Sequence, residues 1–267
     1  MFFKPRVVMP SGPVRVLLLF SNSLSASLYL ISEIEKKPSL KEKITIVGAA
    51  TDNMRASDIK TLDMKNIYYR SFDRNLFVSK REGTASNVNA EYILKIKELT
   101  AEFKPTVVLL DNFTLDGASI ENVFQMPVLE NLLVCMDGTK ITTFSGENAV
   151  RNAILGGKRE FRSGAFIYIN GKRHLLALSR KFQLDLQELA SISLSDEFER
   201  YVKLSNQKYI WNCSGPVTVK ALELIASGKV EEKGGRLYIK DGGSSIQGFY
   251  NMITECVQGI YGIETPQ

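Results

Sequence analysis

The sequence predicts an α/β fold built on a mixed sheet, mostly parallel in its N-terminal half, with helices on both faces. Three observations carry this expectation. Short, continuous apolar runs recur at 14–20, 43–50 and 106–111, the pattern of strands buried on both sides. Helical apolar spacing appears between them, so βαβ crossovers and a parallel strand order follow. Later, Asn170-Gly171 stands between the apolar runs 165–170 and 175–179, a hairpin signal that adds an antiparallel edge.

In order, 14–20 is the first strand and Ser21-Asn22-Ser23-Leu24-Ser25 a polar turn. Residues 26–35 carry Leu28, Leu30, Ile31 and Ile34 at helical spacing. KITIVGAA, 43–50, is the second strand, followed by the turn 51–53 and a weaker helical stretch; 66–69 reads as a short third strand. A polar region, 71–89, leads to an amphipathic helix over 90–103. There Tyr92, Ile93, Ile96 and Leu99 share one face, and Lys95, Lys97 and Glu98 lie largely on the other. Pro105 ends it, and TVVLLD, 106–111, is the next strand, then 132–136. A helix over 147–155 stops at Gly156-Gly157. Residues 185–228 are mostly helical, with Ser214-Gly215-Pro216 placed as a helix start. GGRLYIKDGG, 234–243, is a short β-rich unit, and a helix is expected from Ile246 onward. The chain thus divides into an N-terminal extension, 1–13, one domain, 14–243, and a helical tail, 244–267.

Of the 267 residues, 44% are hydrophobic and 24% charged, which suits a globular chain with a sizeable core. The net charge of +5 is spread without a basic stripe, so no nucleic-acid partner is expected. Cys135, Cys213 and Cys256 are odd in number and widely spaced, and His174 is the single histidine. That composition builds neither a disulfide framework nor a usual zinc site, so no metal is expected and a reducing, cytoplasmic setting fits. No apolar run is long enough to span a bilayer, and the first residues lack the apolar core of a signal peptide; no membrane partner is expected. Ligands of such sheets bind beyond the carboxyl ends of the strands, which directs attention to the loops 21–25, 51–53, 111–117 and 135–146.

Several motifs occur together in this order. VLLLFSNSLSASL (16–28) and KITIVGAATDN (43–53) are strands ending in polar loops, and KPTVVLLDNF (104–113) is a strand after a helix-ending proline. Residues 135–146 read CMDGTKITTFSG, followed by ENAVRNAILGG and then SGAFIYI (163–169); ALELIASGKVEEKGGRLYIKDG (221–242) closes the pattern. Together these resemble the folate-dependent formyltransferases, and within them the glycinamide ribonucleotide type. That family's N-x-H-P-x-L-L-P-x-[FY]-x-G motif runs in ungapped register with this chain over 135–157. The resemblance spans 14–242, with a weak patch at 54–90.

The resemblance implies a formyltransferase-type, Rossmann-like fold. It also implies one-carbon chemistry of the purine-biosynthesis type, in which a formyl group passes from 10-formyltetrahydrofolate to an amine of a phosphorylated substrate. By the same resemblance the partners are a phosphorylated or folate-like small molecule, with the oligomeric state open and a homodimer among the options. The motif's Asn and His positions fall on Cys135 and Asp137, its Pro on Gly138. The position of the family's later Asp falls near 173–175, and no carboxylate occurs between Gly164 and Asp185. A carboxylate at 137 repels a developing oxyanion, and a thiol at 135 is a weak donor. A non-catalytic ligand-binding or regulatory homologue is therefore the alternative.

Each candidate position has a second reading. Cys135 ends a buried strand and could pack as a small hydrophobe, contact a ligand or act as a nucleophile. Asp137-Gly138 suits either a tight turn or a ligand contact at the crevice mouth. Ser21, Asn22, Ser23 and Ser25 either cap the following helix or bind the substrate phosphate, although no glycine lies between Val14 and Ile46. Phe113, Thr114 and Leu115 stand where the family lines its folate pocket, and equally suit a core or an exposed loop. His174 reads as a hairpin surface residue or a catalyst.

Overall fold

The structure, a computed structural model, describes residues 7–77, 90–113, 115, 117–137, 140–192, 194–241 and 244–247. The chain begins with β1 (Val14–Phe20), α1 (Ala26–Lys36), α2 (Pro38–Lys41), β2 (Ile44–Thr51), α3 (Ile59–Met64) and β3 (Tyr69–Ser71). It continues through α4 (Ala90–Phe103), β4 (Val107–Asp111), α5 (Gly117–Val123), β5 (Val128–Asp137), β6 (Lys140–Phe144) and α6 (Ala149–Leu155). The second half holds β7 (Glu160–Ile169), β8 (Lys172–Leu178), β9 (Phe182–Gln183), α7 (Leu186–Ser191), α8 (Ser195–Tyr209) and α9 (Gly215–Ala226). A separate antiparallel unit follows, β10 (Val230–Lys233), β11 (Arg236–Asp241) and β12 (Ser244–Gln247).

The main sheet runs in the order β3-β2-β1-β4-β5-β7-β8, with β6 added to β5 and β9 to β7. Strands β1 to β5 pair in parallel and β7 and β8 antiparallel, the mixed arrangement the sequence predicts. β1 explains why a two-layered helix cover forms. Val16, Leu18 and Phe20 pack with Leu30 and Ile31 of α1 and Leu222 and Ile225 of α9. Leu17 and Leu19 point to the other side, against Tyr92, Ile96, Leu99 and Phe103 of α4. A strand that feeds two cores has no face left for polar residues. A third cluster joins the end of β5 to α6 and α8 through Leu133, Cys135, Val150 and Tyr201. Among the described residues, no helix is long and apolar enough to cross a membrane.

Four elements differ from expectation. The third strand lies at Tyr69–Ser71 rather than 66–69, because Asn66 takes the left-handed conformation (φ 53°) that turns the chain out of α3. β5 begins at Val128, and the expected loop 135–146 is largely a strand return: the register pairs Asp137 with Lys140 and Leu133 with Phe144. Its Ile-Thr-Thr-Phe run is β-branched and aromatic, the composition that favours pairing. Ser214-Gly215-Pro216 does not open a fresh helix. α8 runs through a π-turn, Ile210–Ser214, directly into α9, and Ser214 keeps helical angles. The wider turn accommodates Pro216, which has no N–H to donate. Lastly, 244–247 is a strand, not the start of a helical tail. Its register places Ile246 opposite Ile239, extending the β11 hairpin; residues 248–267 lie outside those described.

Candidate functional site

β1 pairs with β2 on one side and with β4 on the other, so the carboxyl ends of β1 and β4 form the crevice of the sheet. Two segments meet there, the loop 21–25 and Asp111-Asn112. Asp111, the last residue of β4, is 5% exposed. Its Oδ2 accepts from the backbone N–H of Ser25 (2.8 Å) and of Ser27 (2.8 Å), the first free donors of α1. The helix is therefore capped by a carboxylate from another strand, since the Ser25 side chain makes no cap bond of its own. Asn112, in a left-handed conformation (φ 56°), instead donates from Nδ2 to Ser25 Oγ at 2.8 Å. Burial raises the pKa of Asp111, against the opposing pull of the N–H donors.

A second carboxylate closes the loop from above. Glu147 accepts from Asn22 Nδ2 (3.1 Å) and from Ser23 Oγ (3.0 Å). Asn53 Nδ2 donates to Asn22 Oδ1 (2.7 Å), and Leu24 N–H donates to Asp58 Oδ2 (2.7 Å). Thr51 Oγ1 donates to the carbonyl of Ser21 (2.9 Å). The four residues expected to hold phosphate thus come together, with their loop fixed from several sides. The donors an anion would use at this helix start already face Asp111 and Glu147.

Between these groups lies a cavity of about 290 Å3, walled by Ser23, Ser25, Asp111, Asn131, Glu147 and Tyr209 among others. Its size suits a small metabolite. No Lys, Arg or His is among its described lining residues. Asn131 donates from Nδ2 to Thr218 Oγ1, and Thr218 gives its only hydroxyl proton to the Ser214 carbonyl (2.7 Å). That direction leaves Asn131 Oδ1 as a buried acceptor with no partner, a cost of roughly 1–3 kcal/mol. A larger groove, about 740 Å3, lies at the opposite ends of the strands beside Val128 and the 169–172 turn. It is remote from the crevice where a parallel sheet presents its loops, so the smaller cavity is the candidate site.

The other predicted positions lie elsewhere. Cys135 is 3% exposed and packs with Leu133, Ala149, Val150 and Cys213, and it does not line the cavity. Burial pushes its thiol pKa up, the reverse of what a nucleophile requires. In a Cys256→Ser variant, neither Cys135 nor Cys213 is expected to react with a water-soluble disulfide reagent until the chain unfolds. Two thiols should then titrate; fast labelling of the native protein would contradict the packing role. Asp137 sits at the end of β5 where the chain turns back, and its side chain lies outside the described residues, as do Gly138 and Thr139. Phe113 and Leu115 belong to the core on the α4 side, Phe113 stacking on Tyr92 at 6.4 Å, and Thr114 lies outside the described residues. His174 is on β8, its pKa lowered by burial, and it does not line the cavity. Among the described residues, no group of acidic, Cys and His side chains could hold a metal.

Asp111, Asn131, Glu147 and Tyr209 carry the site, yet the sequence does not single them out. Asp111 had one signal, a carboxylate ending a fully buried strand.

No protein-family model matches the chain, and no curated protein matches it in sequence. Solved structures do match in fold. Glycinamide ribonucleotide transformylase 1 from Symbiobacterium toebii is 14% identical with a TM-score of 0.56, over 86% of this chain and 95% of that one. Phosphoribosylglycinamide formyltransferase from Coxiella burnetii is 13% identical with a TM-score of 0.56, over 88% of this chain and 97% of that one. A formyltetrahydrofolate deformylase from Pseudomonas putida KT2440 is 11% identical with a TM-score of 0.60, over 87% and 72%. The chain therefore has the formyltransferase-type fold.

Proposed function

We propose that this formyltransferase-type chain binds a small polar molecule in the cavity between β1 and β4 and does not transfer a formyl group. The observation that carries the reading is the chemistry of the cavity wall: two carboxylates, with no Lys, Arg or His among the described lining residues. Formyl transfer from 10-formyltetrahydrofolate to an amine needs a base for the amine, donors for the tetrahedral oxyanion and an acid for the leaving nitrogen. Asp111 and Glu147 bring acceptors to the cavity, not the donors that an oxyanion needs. Cys135, at the position of the family's Asn, is buried away from the cavity. What the fold retains is a crevice at the point where strand order reverses, with a pinned loop on one side.

The test is a formyl-transfer assay, following release of tetrahydrofolate with glycinamide ribonucleotide as acceptor. No turnover is expected from the wild type, nor from the Cys135→Asn/Asp137→His variant, since neither substitution removes the two carboxylates. Turnover by the wild type would overturn the reading. Thermal-shift measurements supply the binding arm, because a ligand of the native state raises its stability by RT ln(1 + [L]/Kd).

A further inference from the structure

A second concavity follows the seam between α1 and α9. Tyr29, Glu33 and Lys37 recur every four residues along α1 and its end, and Val219, Lys220 and Glu223 stand at helical spacing on α9. Gly215 lies against Tyr29 at the start of α9, and Lys37 interacts with Glu223 near its end, so the two stripes run side by side. They border a groove of about 500 Å3, a size that suits a small ligand. The π-turn Ile210–Ser214 supplies one end of it, where Trp211 is half exposed and edge-on to Tyr29 at 5.3 Å. Arg180 lines that same end: Cys213 Sγ donates to its carbonyl (3.7 Å), and its charge acts on the Cys213 thiol. No described residue lines both this groove and the cavity between β1 and β4.

The charges of the wall sort into two groups. Away from Trp211, Lys37 binds Glu33 at 2.6 Å and Lys36 adds a second bridge at 3.4 Å; the Lys37 bond above all holds the Glu33 carboxyl below the usual range. Glu223 acts on the same Lys37, so two carboxylates meet two ammonium groups and the cluster is balanced. Arg180 and Lys220 remain, and among the described residues neither makes an ion pair. The groove is thus aromatic at its Trp211 end and carries uncompensated positive charge, with the Asn212 amide as a neutral donor and acceptor.

We propose that this groove binds a planar aromatic anion, its ring stacked on Trp211 and its charge held by Arg180 and Lys220. A half-exposed indole offers a flat apolar face, and stacking on it is open to any π-system of suitable size. A guanidinium takes a phosphate or carboxylate in two parallel charge-assisted bonds. A ring without charge leaves Arg180 unpaired, and a charge without a ring leaves the indole in water, so the two features together define the class. An aromatic cation meets Arg180 and Lys220 at like sign. The proposal is independent of the binding role of the β1–β4 cavity.

Trp211 is the only tryptophan, so its emission reports on the groove directly. The full chain is titrated with AMP and phenyl phosphate, which join a ring to a phosphate, and with adenosine, inorganic phosphate and 2-phenylethylamine, which lack one feature or reverse the charge. AMP and phenyl phosphate are expected to quench the emission saturably and to raise the melting temperature. AMP as the tighter of the two marks a nucleotide, and equal affinity a simpler aromatic acid; either supports the class. Adenosine should bind about tenfold more weakly than AMP, and phosphate and the amine should give no response. Arg180→Gln, at an exposed position, should weaken AMP about tenfold. Trp211→Ala, followed by calorimetry because the reporter is gone, should weaken it by about tenfold or more. Circular dichroism checks that both variants fold. Adenosine or the amine binding as tightly as AMP would overturn the assignment of charge. AMP binding that neither substitution weakens would lie elsewhere and overturn the site, as would the lack of a saturable response to either aromatic anion.

Discussion

Replacing Asp111 with alanine is expected to lower the unfolding free energy by about 3 kcal/mol. The carboxylate is the acceptor for the N–H groups of Ser25 and Ser27 at the start of α1, and alanine leaves both donors in a buried setting. For a chain of this size such a loss lowers the melting temperature by roughly 6–12 °C. Asp111→Asn separates charge from hydrogen bonding. Both N–H groups use the same oxygen, Oδ2, so a carboxamide oxygen can take their place, and a loss of only about 1 kcal/mol is expected. Burial raises the folded pKa of Asp111 above its unfolded value, so the native state holds the proton more tightly. The stability this group contributes is therefore fully present below the unfolded pKa and falls as pH rises through the folded one. Urea unfolding of wild type and Asp111→Asn across that acid range should show the wild type losing ground with rising pH. A pH-independent difference between them would count against the raised pKa.

The second large effect concerns the contact between α1 and α9. A Cβ placed on Gly215 would overlap Cγ and Cβ of Tyr29, atoms near the root of that side chain which cannot swing aside. Gly215→Val is expected to force the helices apart at a cost of about 3 kcal/mol, with Gly215→Ala somewhat milder. A double-mutant cycle tests the cause. Tyr29→Gly combined with Gly215→Ala should recover part of the loss, because both overlapping atoms, Cβ and Cγ, are gone. Strict additivity of the two substitutions would show that helix geometry, rather than the contact, sets the cost.

Much of this fold was legible where one signal dominated. α4 was predicted with both its ends, because an amphipathic period and a following proline agree. β1 is legible because, beyond Arg15 at its entrance, the run Val16–Phe20 is apolar without a break, as a strand covered on both faces requires. The start of β5 was not, since Glu130 and Asn131 interrupt the apolar run at the point where β5 pairs with both β4 and β7. β6 reads as a loop in the sequence because 135–146 follows the apolar run 132–136, at the carboxyl end where a parallel sheet presents its loops. The site was legible only in outline. The loops 21–25 and 111–117 were singled out by the rule for parallel sheets, whereas the roles of Asp111 and Glu147 come from tertiary contact. Ser25 and Asp111 are 86 residues apart in the chain, and Asn22 and Glu147 are 125 apart. No local pattern carries information over such separations.

The unbroken apolar run of β1 beyond Arg15 leaves the chain with an alignment problem. A strand apolar on both faces loses little burial if it slips by one residue against β4, so greasiness alone cannot choose the pairing. The choice falls to polar fasteners at the two ends. At the entrance, Arg15 bonds to the Thr106 hydroxyl and to the carbonyls of Lys104 and Phe103. At the exit, Phe20 stands opposite Asp111, whose carboxylate reaches across to the head of α1. A one-residue slip would pull that carboxylate about 3 Å from its donors and break both bonds at once. The acidic group that shapes the cavity is thus also the latch that tells two greasy strands where to stop.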